Sequence, residues 1–366
     1  MNACLVSAAE PSGDALAAEI LGELHRRRPE LRWRGCGGEH LKHRLGLHLE
    51  LDAEVSELSA AGLVELLPRL PALWRARTSL LEAIKTSRLA VLVDAPDLNL
   101  PLASKARELG VPVVLVAPPQ WWAWRPGRLR KLAHQADLVL CLFHFEVAPL
   151  RAQGIAAHWI GHPASRLLQA ETCPPDSSRL QVAVLPGSRP GEIQRNLRPL
   201  IKGVKTALAR AGQPAEIRIP WRLKASPPDC DGVCFVRSPG PEILADCDLA
   251  LVAAGTATLE AAALGVPCLI VAAAHPITAA IARKLLNTRL LGLPNILLGE
   301  AVVPELHQDL SEASVSSAVT DLMGDLQGAR QQAASTRARL AKVLGKPGLA
   351  IRAADCIEPL LRKNHG

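Results

Sequence analysis

Apolar residues gather along the first half of the chain in short, nearly continuous runs at 4–8, 89–93, 111–116, 138–142 and 155–160. Runs of this length without polar interruption mark strands buried on both faces. Between them the apolar spacing becomes helical, as in Leu16, Ile20, Leu21, Leu24 and again in Leu102, Ala106, Leu109. Such alternation predicts a parallel α/β sheet whose ligands sit beyond the carboxyl ends of its strands. Residues 169–179, rich in Pro, Ser, Asp and Glu, read as a linker. The alternation then restarts, with strands expected at 180–185, 216–219, 233–236, 249–252 and 268–271 and helices opening near Glu192, Glu242, Thr256 and Ile277. The pattern therefore predicts two α/β domains in tandem, with a cleft between them as a favoured place for a ligand.

One segment breaks the pattern. Residues 59–81 set Leu63, Val64, Leu66, Leu67, Leu70, Leu73 and Trp74 among Arg69, Arg75 and Arg77, with Pro68 and Pro71 interrupting. Periodicity alone favours a helix packed on the domain core. The same basic, amphipathic pattern also suits a membrane surface or an acyl chain.

Length and composition narrow the field. At 366 residues the chain is long enough for two ordinary cores, and with 49% hydrophobic and 21% charged residues it is globular. No apolar run reaches the roughly 18 to 20 residues that span a bilayer. No secretory leader is read in the first residues, so a cytoplasmic chain is expected. Nine cysteines are scattered without a CxxC pair, and Cys230 and Cys234 lack a partner pair at zinc-site spacing. Free structural thiols are expected. The net charge of +7 calls for an anionic partner. Arg26, Arg27 and Arg28 read as a solvated helix end, and with no longer basic run nucleic acid is not expected.

Two turns in the second half carry the chemistry of anion binding. Pro186, Gly187, Ser188 and Arg189 follow an apolar strand and open a helix, which offers backbone N–H groups, a helix dipole and a guanidinium. Gly255, Thr256 and Thr258 repeat the arrangement, with Glu260 a helical turn further on to hold a ribose; helix capping is the plainer role for the threonines. Two such loops in one domain favour a nucleotide. Gly35, Gly37 and Gly38 form a weaker cluster without the dinucleotide spacing. In the first half, Asp94 and Asp97 follow the strand at 89–93, where a turn-forming Asp-x-Pro competes with a catalytic carboxylate. Glu10, Ser12 and Asp14 follow the first strand; capping accounts for Ser12 or Asp14 and leaves Glu10 over.

Taken in order, AAEPSGD, VDAPDLNL, WAWRPGRLRKLA, CLFHFE, GHP, LPGSRPGEI, AAGTATLEAA, LPNILLG and VVPEL resemble the lipid-A-disaccharide synthase family, from about residue 6 to about residue 310. The chain departs from the family's usual residues at Ala9 and Pro11, at Ala117 and Pro119, and at Ala272-Ala273, where a Tyr-basic pair is common. The resemblance implies a GT-B fold, two Rossmann-like parallel-sheet domains facing across a cleft. Residues 1–168 would take the lipid acceptor and 180–345 the UDP-sugar, with 346–366 a C-terminal helix packing back near the first domain.

The implied reaction is an inverting transfer that joins UDP-2,3-diacylglucosamine to 2,3-diacylglucosamine 1-phosphate (lipid X), forming a β-1,6 disaccharide and UDP without a metal or cofactor. Asp94 and Glu10 are the implied catalytic carboxylates. Ser12, Asp97, Trp122, Trp124, Arg125, Gly187, Ser188, Arg189, Gly255, Thr256, Thr258, Glu260 and Asn295 are the implied substrate contacts. Leu63, Leu66, Leu67, Leu70 and Trp74 would meet acyl chains or the inner-membrane surface, and a homodimer is left open. Trp121, Trp122 and Trp124 are concentrated in a chain with no tyrosine, beside Arg125 and Arg128, which suits a wall that positions a glycolipid phosphate. The rival readings are another GT-B enzyme using a UDP-sugar, such as a lipid-linked N-acetylglucosaminyltransferase or a UDP-N-acetylglucosamine 2-epimerase, and a non-catalytic nucleotide- or lipid-binding relative.

Overall fold

The computed structural model describes residues 3–55, 70–119, 128–132, 134–170, 179–221, 223, 225–273 and 290–363. They divide into two compact units, one of Met1–Pro163 with Lys346–Gly366 and one of Ala164–Gly345. The division falls a few residues before the expected boundary at 168. The reason is local: Arg337 donates to the carbonyls of Leu168 and Ala170, both at 2.8 Å, and so holds the short helical stretch Pro163–Gln169 on the second unit.

The first unit is built on a seven-stranded sheet of order β3-β2-β1-β4-β5-β6-β7. Its strands are β1 (Ala3–Ala8), β2 (Arg32–Gly37), β3 (Leu49–Glu54), β4 (Ala90–Val93), β5 (Val113–Val116), β6 (Leu138–Cys141) and β7 (Ala157–Trp159), all paired in parallel. Helices α1 (Pro11–Arg27), α2 (Glu39–Leu45), α3 (Leu70–Lys85), α4 (Pro96–Glu108), α5 (Arg128–Leu132) and α6 (Val147–Arg151) lie between them. Successive side chains of a strand point to opposite faces. Val91, Val93, Val114 and Val116 thus join one apolar cluster, while Ala90, Leu92, Val113 and Leu115 join another on the opposite face. Both faces are covered, which is why these strands read as unbroken apolar runs.

The second unit repeats the plan with a six-stranded parallel sheet of order β10-β9-β8-β11-β12-β13. Its strands are β8 (Leu180–Leu185), β9 (Ala215–Pro220), β10 (Val233–Val236), β11 (Leu249–Ala253), β12 (Cys268–Ala272) and β13 (Glu305–His307). Its helices are α7 (Pro190–Ala211), α8 (Gly240–Ala245), α9 (Thr256–Leu264), α10 (Leu293–Leu298), α11 (Glu312–Gly324) and α12 (Leu326–Leu344). The helix expected near Ile277 lies outside the described residues. After α12 the chain returns to the first unit as α13 (Leu349–Lys363), which buries Leu349, Ala353, Ala354, Ile357 and Leu361 with the apolar face of α1. Arg27 seals that contact with Asp355 at 2.7 Å and Glu358 at 3.6 Å, so the expected solvated arginine end is partly an inter-helix clamp.

Helix α3 settles the odd segment in part. Ala76, Leu80, Ala83 and Ile84 are buried in the core, whereas Trp74 is 70% exposed. The helix therefore packs on the core and also presents an aromatic ring outward. Leu63, Leu66 and Leu67 lie outside the described residues. No described helix is long and apolar enough to cross a membrane.

Candidate functional site

Parallel sheets of this order bind ligands where neighbouring strands send their connections to opposite faces. In the first unit that point lies between β1 and β4. Ala8 pairs with Val93 and Val93 with Val116, so the chain leaves three adjacent strands side by side at Ala9-Glu10, Asp94-Ala95 and Ala117. Three of the four non-glycine residues with positive φ among those described stand here, Asp94 at 52°, Ala95 at 43° and Ala117 at 54°. Left-handed backbone is costly for residues that carry a Cβ, and it clusters where function demands a shape. Both Asp94 and Glu10 are half-buried at this edge, Glu10 as the extended residue that precedes α1. A Cβ added to Gly13 would lie 3.5 Å from the Val93 carbonyl oxygen and 3.7 Å from the Asp94 Cβ, so the first turn of α1 is seated against the Asp94 turn. Ser12 and Asp97 are exposed in the first turns of α1 and α4.

Asp14 does something the sequence reading did not anticipate. It is buried, and instead of capping its own helix its carboxylate accepts from the backbone N–H of Gly38 at 2.7 Å, His40 at 2.9 Å and Leu41 at 3.3 Å. A side chain of α1 thus caps α2. Gly38 follows from that contact, because a Cβ there would come within 2.8 Å of Asp14 Oδ2. Gly35 is needed for a different reason: a Cβ on it would sit 2.0 Å from the Val6 carbonyl oxygen. The glycine cluster is structural.

CLFHFE and GHP meet at the ends of β6 and β7. The His162 ring stacks on Phe143 with centroids 5.3 Å apart at 14°, and Phe143 on Phe145 at 5.7 Å. Burial holds the His162 imidazole down to about 4. Glu146, also buried, accepts from the Phe143 backbone N–H at 3.1 Å. Trp122, Trp124 and Arg125 lie outside the described residues.

In the second unit the corresponding point lies between β8 and β11, where Leu185 pairs with Val252. The two predicted loops are therefore neighbours: Gly187, Ser188 and Arg189 leave β8, and Gly255 and Thr256 leave β11. Ser188, Gly255 and Thr256 are exposed, and Gly187 and Arg189 half-buried. Arg189 is the residue that precedes α7. Its guanidinium donates to Glu192 Oε1 at 3.1 Å, while Glu192 Oε2 accepts from the backbone N–H of Ser188 at 3.2 Å and of Arg189 at 3.4 Å. Gly187, at φ 128°, passes so close that a Cβ would lie 2.6 Å from the Glu192 Cβ. The buried Asn196 fixes the start of the turn by donating to the Pro186 carbonyl at 2.8 Å. Glu260 is half-buried one turn into α9, with its Oε2 4.0 Å from a Cβ built on Gly240.

Two expected substrate contacts are placed differently. Thr258 and Asn295 are fully buried. Thr258 Oγ1 donates to the Gly255 carbonyl at 2.7 Å and accepts from the Leu293 N–H at 3.3 Å. Asn295 donates to the Val303 carbonyl and to Glu305 Oε1, each at 2.7 Å, and accepts from the Val303 N–H at 2.8 Å. Side chains closed off from solvent and committed in this way hold the loops in shape. Glu305 joins them by accepting from Leu291 and Gly292 at the start of α10, and His307 sits 2.6 Å away. Asp14 is expected from the sequence only as a cap of its own helix, and its grip on α2, like that of Glu305 on α10, joins backbone N–H groups far along the chain that the sequence does not single out. For Glu192 alone a signal exists, the carboxylate three residues after the residue that opens the helix.

The whole chain is similar to the calicheamicin glycosyltransferase CalG4, with a TM-score of 0.63 at 17% identity and 100% of both chains covered. It is also similar to the UDP-GlcNAc 2-epimerase from Neisseria meningitidis bound to UDP-GlcNAc, with a TM-score of 0.53 at 11% identity and again 100% of both chains. At such identities the likeness is one of fold, and the class defined is the GT-B fold with its loop clusters at two switch points. A family profile described as lipid-A-disaccharide synthetase matches residues 4–346. Lipid-A-disaccharide synthases from Myxococcus xanthus (strain DK1622) and Anaeromyxobacter sp. (strain K) are 35% and 34% identical to the chain, covering 98% of it and 97% of each relative. The chain belongs to the lipid-A-disaccharide synthase family.

Proposed function

We propose that this enzyme joins UDP-2,3-diacylglucosamine to lipid X with inversion, giving the β-1,6 disaccharide 1-phosphate and UDP. Family membership supports the activity. The observation that carries the mechanism is the left-handed Asp94-Ala95 turn at the switch point of the first sheet, beside Glu10. A sugar hydroxyl is a poor nucleophile until a base takes its proton. In the proposed step the acceptor 6-hydroxyl bonds to the anomeric carbon as the bond from that carbon to the diphosphate breaks, and the hydroxyl proton passes to the Asp94 carboxylate. The departing UDP carries away the electron pair. Its charge is met by the Ser188-Arg189 turn and the positive end of α7, and Glu260 takes the ribose. Ser12 and Asp97 contact the acceptor, and Trp122, Trp124 and Arg125 wall it. Both substrates carry acyl chains, so the enzyme works at the cytoplasmic face of the inner membrane, with Trp74 and the leucines before it as the contact.

Asp94 ranks above Glu10 as the base because it directly follows its strand. Proton-transfer catalysis contributes about 100- to 10,000-fold. Asp94→Asn is expected to lose turnover in that range with UDP affinity unchanged, measured by disaccharide formation and by UDP titration. Full turnover in Asp94→Asn together with its loss in Glu10→Gln would exchange the two roles.

A further inference from the structure

We propose that Asn99 is a positioning residue for this transfer, holding the Asp94-Ala95 turn in its left-handed shape. The inference rests on the reading of Asp94 as the base. Asn99 lies in the first turns of α4 and is 1% exposed. Its backbone N–H donates to the Ala95 carbonyl at 2.9 Å, closing the first turn of the helix. Its side chain folds back beneath the turn. Nδ2 lies 2.8 Å from the carbonyl oxygen of Asp94, 3.1 Å from that of Val93 and 3.3 Å from that of Ser7. One amide nitrogen thus gathers three carbonyls from the ends of β1 and β4. Only a donor suits that place, which fixes which end of the amide points there.

The arrangement is not fully satisfied, which fits a contact kept for the shape of the turn. Asn99 Oδ1 is buried without a hydrogen-bond partner, and so is the hydroxyl of Ser7, at the end of β1. Buried polar atoms are nearly always paired, so each unpaired one needs a physical reason, and a geometry held against satisfaction is one such reason. The Asn99 amide bearing one such atom is hydrogen-bonded beside two consecutive left-handed residues, Asp94 at φ 52° and Ala95 at φ 43°. Without the amide, three carbonyl dipoles would face one another, and a main contact that offsets the steric preference of Asp94 and Ala95 for ordinary backbone would be lost. Relaxing φ at Asp94 would swing the bond to its side chain and carry the carboxylate away from the acceptor.

The test uses the full-length enzyme. Asn99→Ala is expected to lower kcat about 10- to 100-fold, the scale of a small misplacement of a reacting group, with KM for both substrates and UDP affinity near wild type. Adding Ala95→Gly to Asn99→Ala should restore most of the lost turnover, because glycine takes left-handed backbone without strain. A purely structural role predicts a lower melting temperature and no such rescue. Asn99→Ser, which keeps a donor in a smaller side chain, carries the same comparison if the alanine variant does not fold. Unchanged kcat, or a loss that glycine does not rescue, overturns the inference while leaving Asp94 as base. Asp94→Asn with full turnover, measured alongside, overturns the reading beneath it and the inference with it.

Discussion

His162 is buried against Phe143, and burial alone holds its imidazole down to about 4 from an ordinary 6.5. Above pH 6.5 the ring is neutral in the folded and the unfolded chain, so it adds no pH dependence there. Below that value the unfolded chain takes up a proton that the folded one refuses, and stability falls until about pH 4, by about 3 kcal/mol in all. Denaturant unfolding between pH 7 and pH 4 should show this slope in the wild type and a flatter one in His162→Asn; equal slopes would contradict the assignment. Burial likewise pushes the thiols of Cys4 and Cys268 up to about 12, and those of Cys141 and Cys247 upward, as inert core thiols require. At this scale the sequence showed which groups stand in the turns that leave apolar strands, Asp94 immediately after β4 and Arg189 four residues after β8. It was illegible where a side chain binds backbone N–H groups distant along the chain, as Asp14 does at α2 and Glu305 at α10.

Central strands and the turns that leave them were the legible elements. β4 is AVLV and β5 is VVLV, buried throughout, and such runs admit little else than strands covered on both faces. β2 (RWRGCG) and β3 (LELDAE) escaped because they approach an edge of the sheet and alternate charged with apolar positions, and β13 is a three-residue edge strand. The turn between β8 and α7 was read as an anion site, and the structure adds that Glu192 now engages the same N–H groups and guanidinium. A diphosphate bound as proposed would share or displace that carboxylate. Arg189→Ala should weaken UDP binding by about 2 to 5 kcal/mol, the scale for truncating one partner of a buried charge pair. Calorimetric titration measures it, and UDP affinity near wild type would remove Arg189 from the diphosphate.

On the scale of the whole molecule, two units each carry their own pair of apolar clusters on the two faces of a sheet. The repeated alternation made both sheets legible, whereas the return of α13 to the first unit, implied only by the family resemblance, rests on its apolar face and the Arg27 pair. A net charge of +7 and the exposed Trp74 support work at an anionic bilayer. Trp74→Ser should lower binding to phosphatidylglycerol-containing vesicles in a sedimentation assay without changing the melting temperature, and unchanged binding would place the membrane contact elsewhere. The central claim is the glycosyl transfer itself. Incubating the purified enzyme with UDP-2,3-diacylglucosamine and lipid X and analysing the products by mass spectrometry and proton NMR tests it most directly. The expected result is a β-1,6 disaccharide 1-phosphate formed in step with UDP, and no UDP when lipid X is withheld. UDP released without disaccharide, or a sugar nucleotide epimerised at its second carbon, would contradict it.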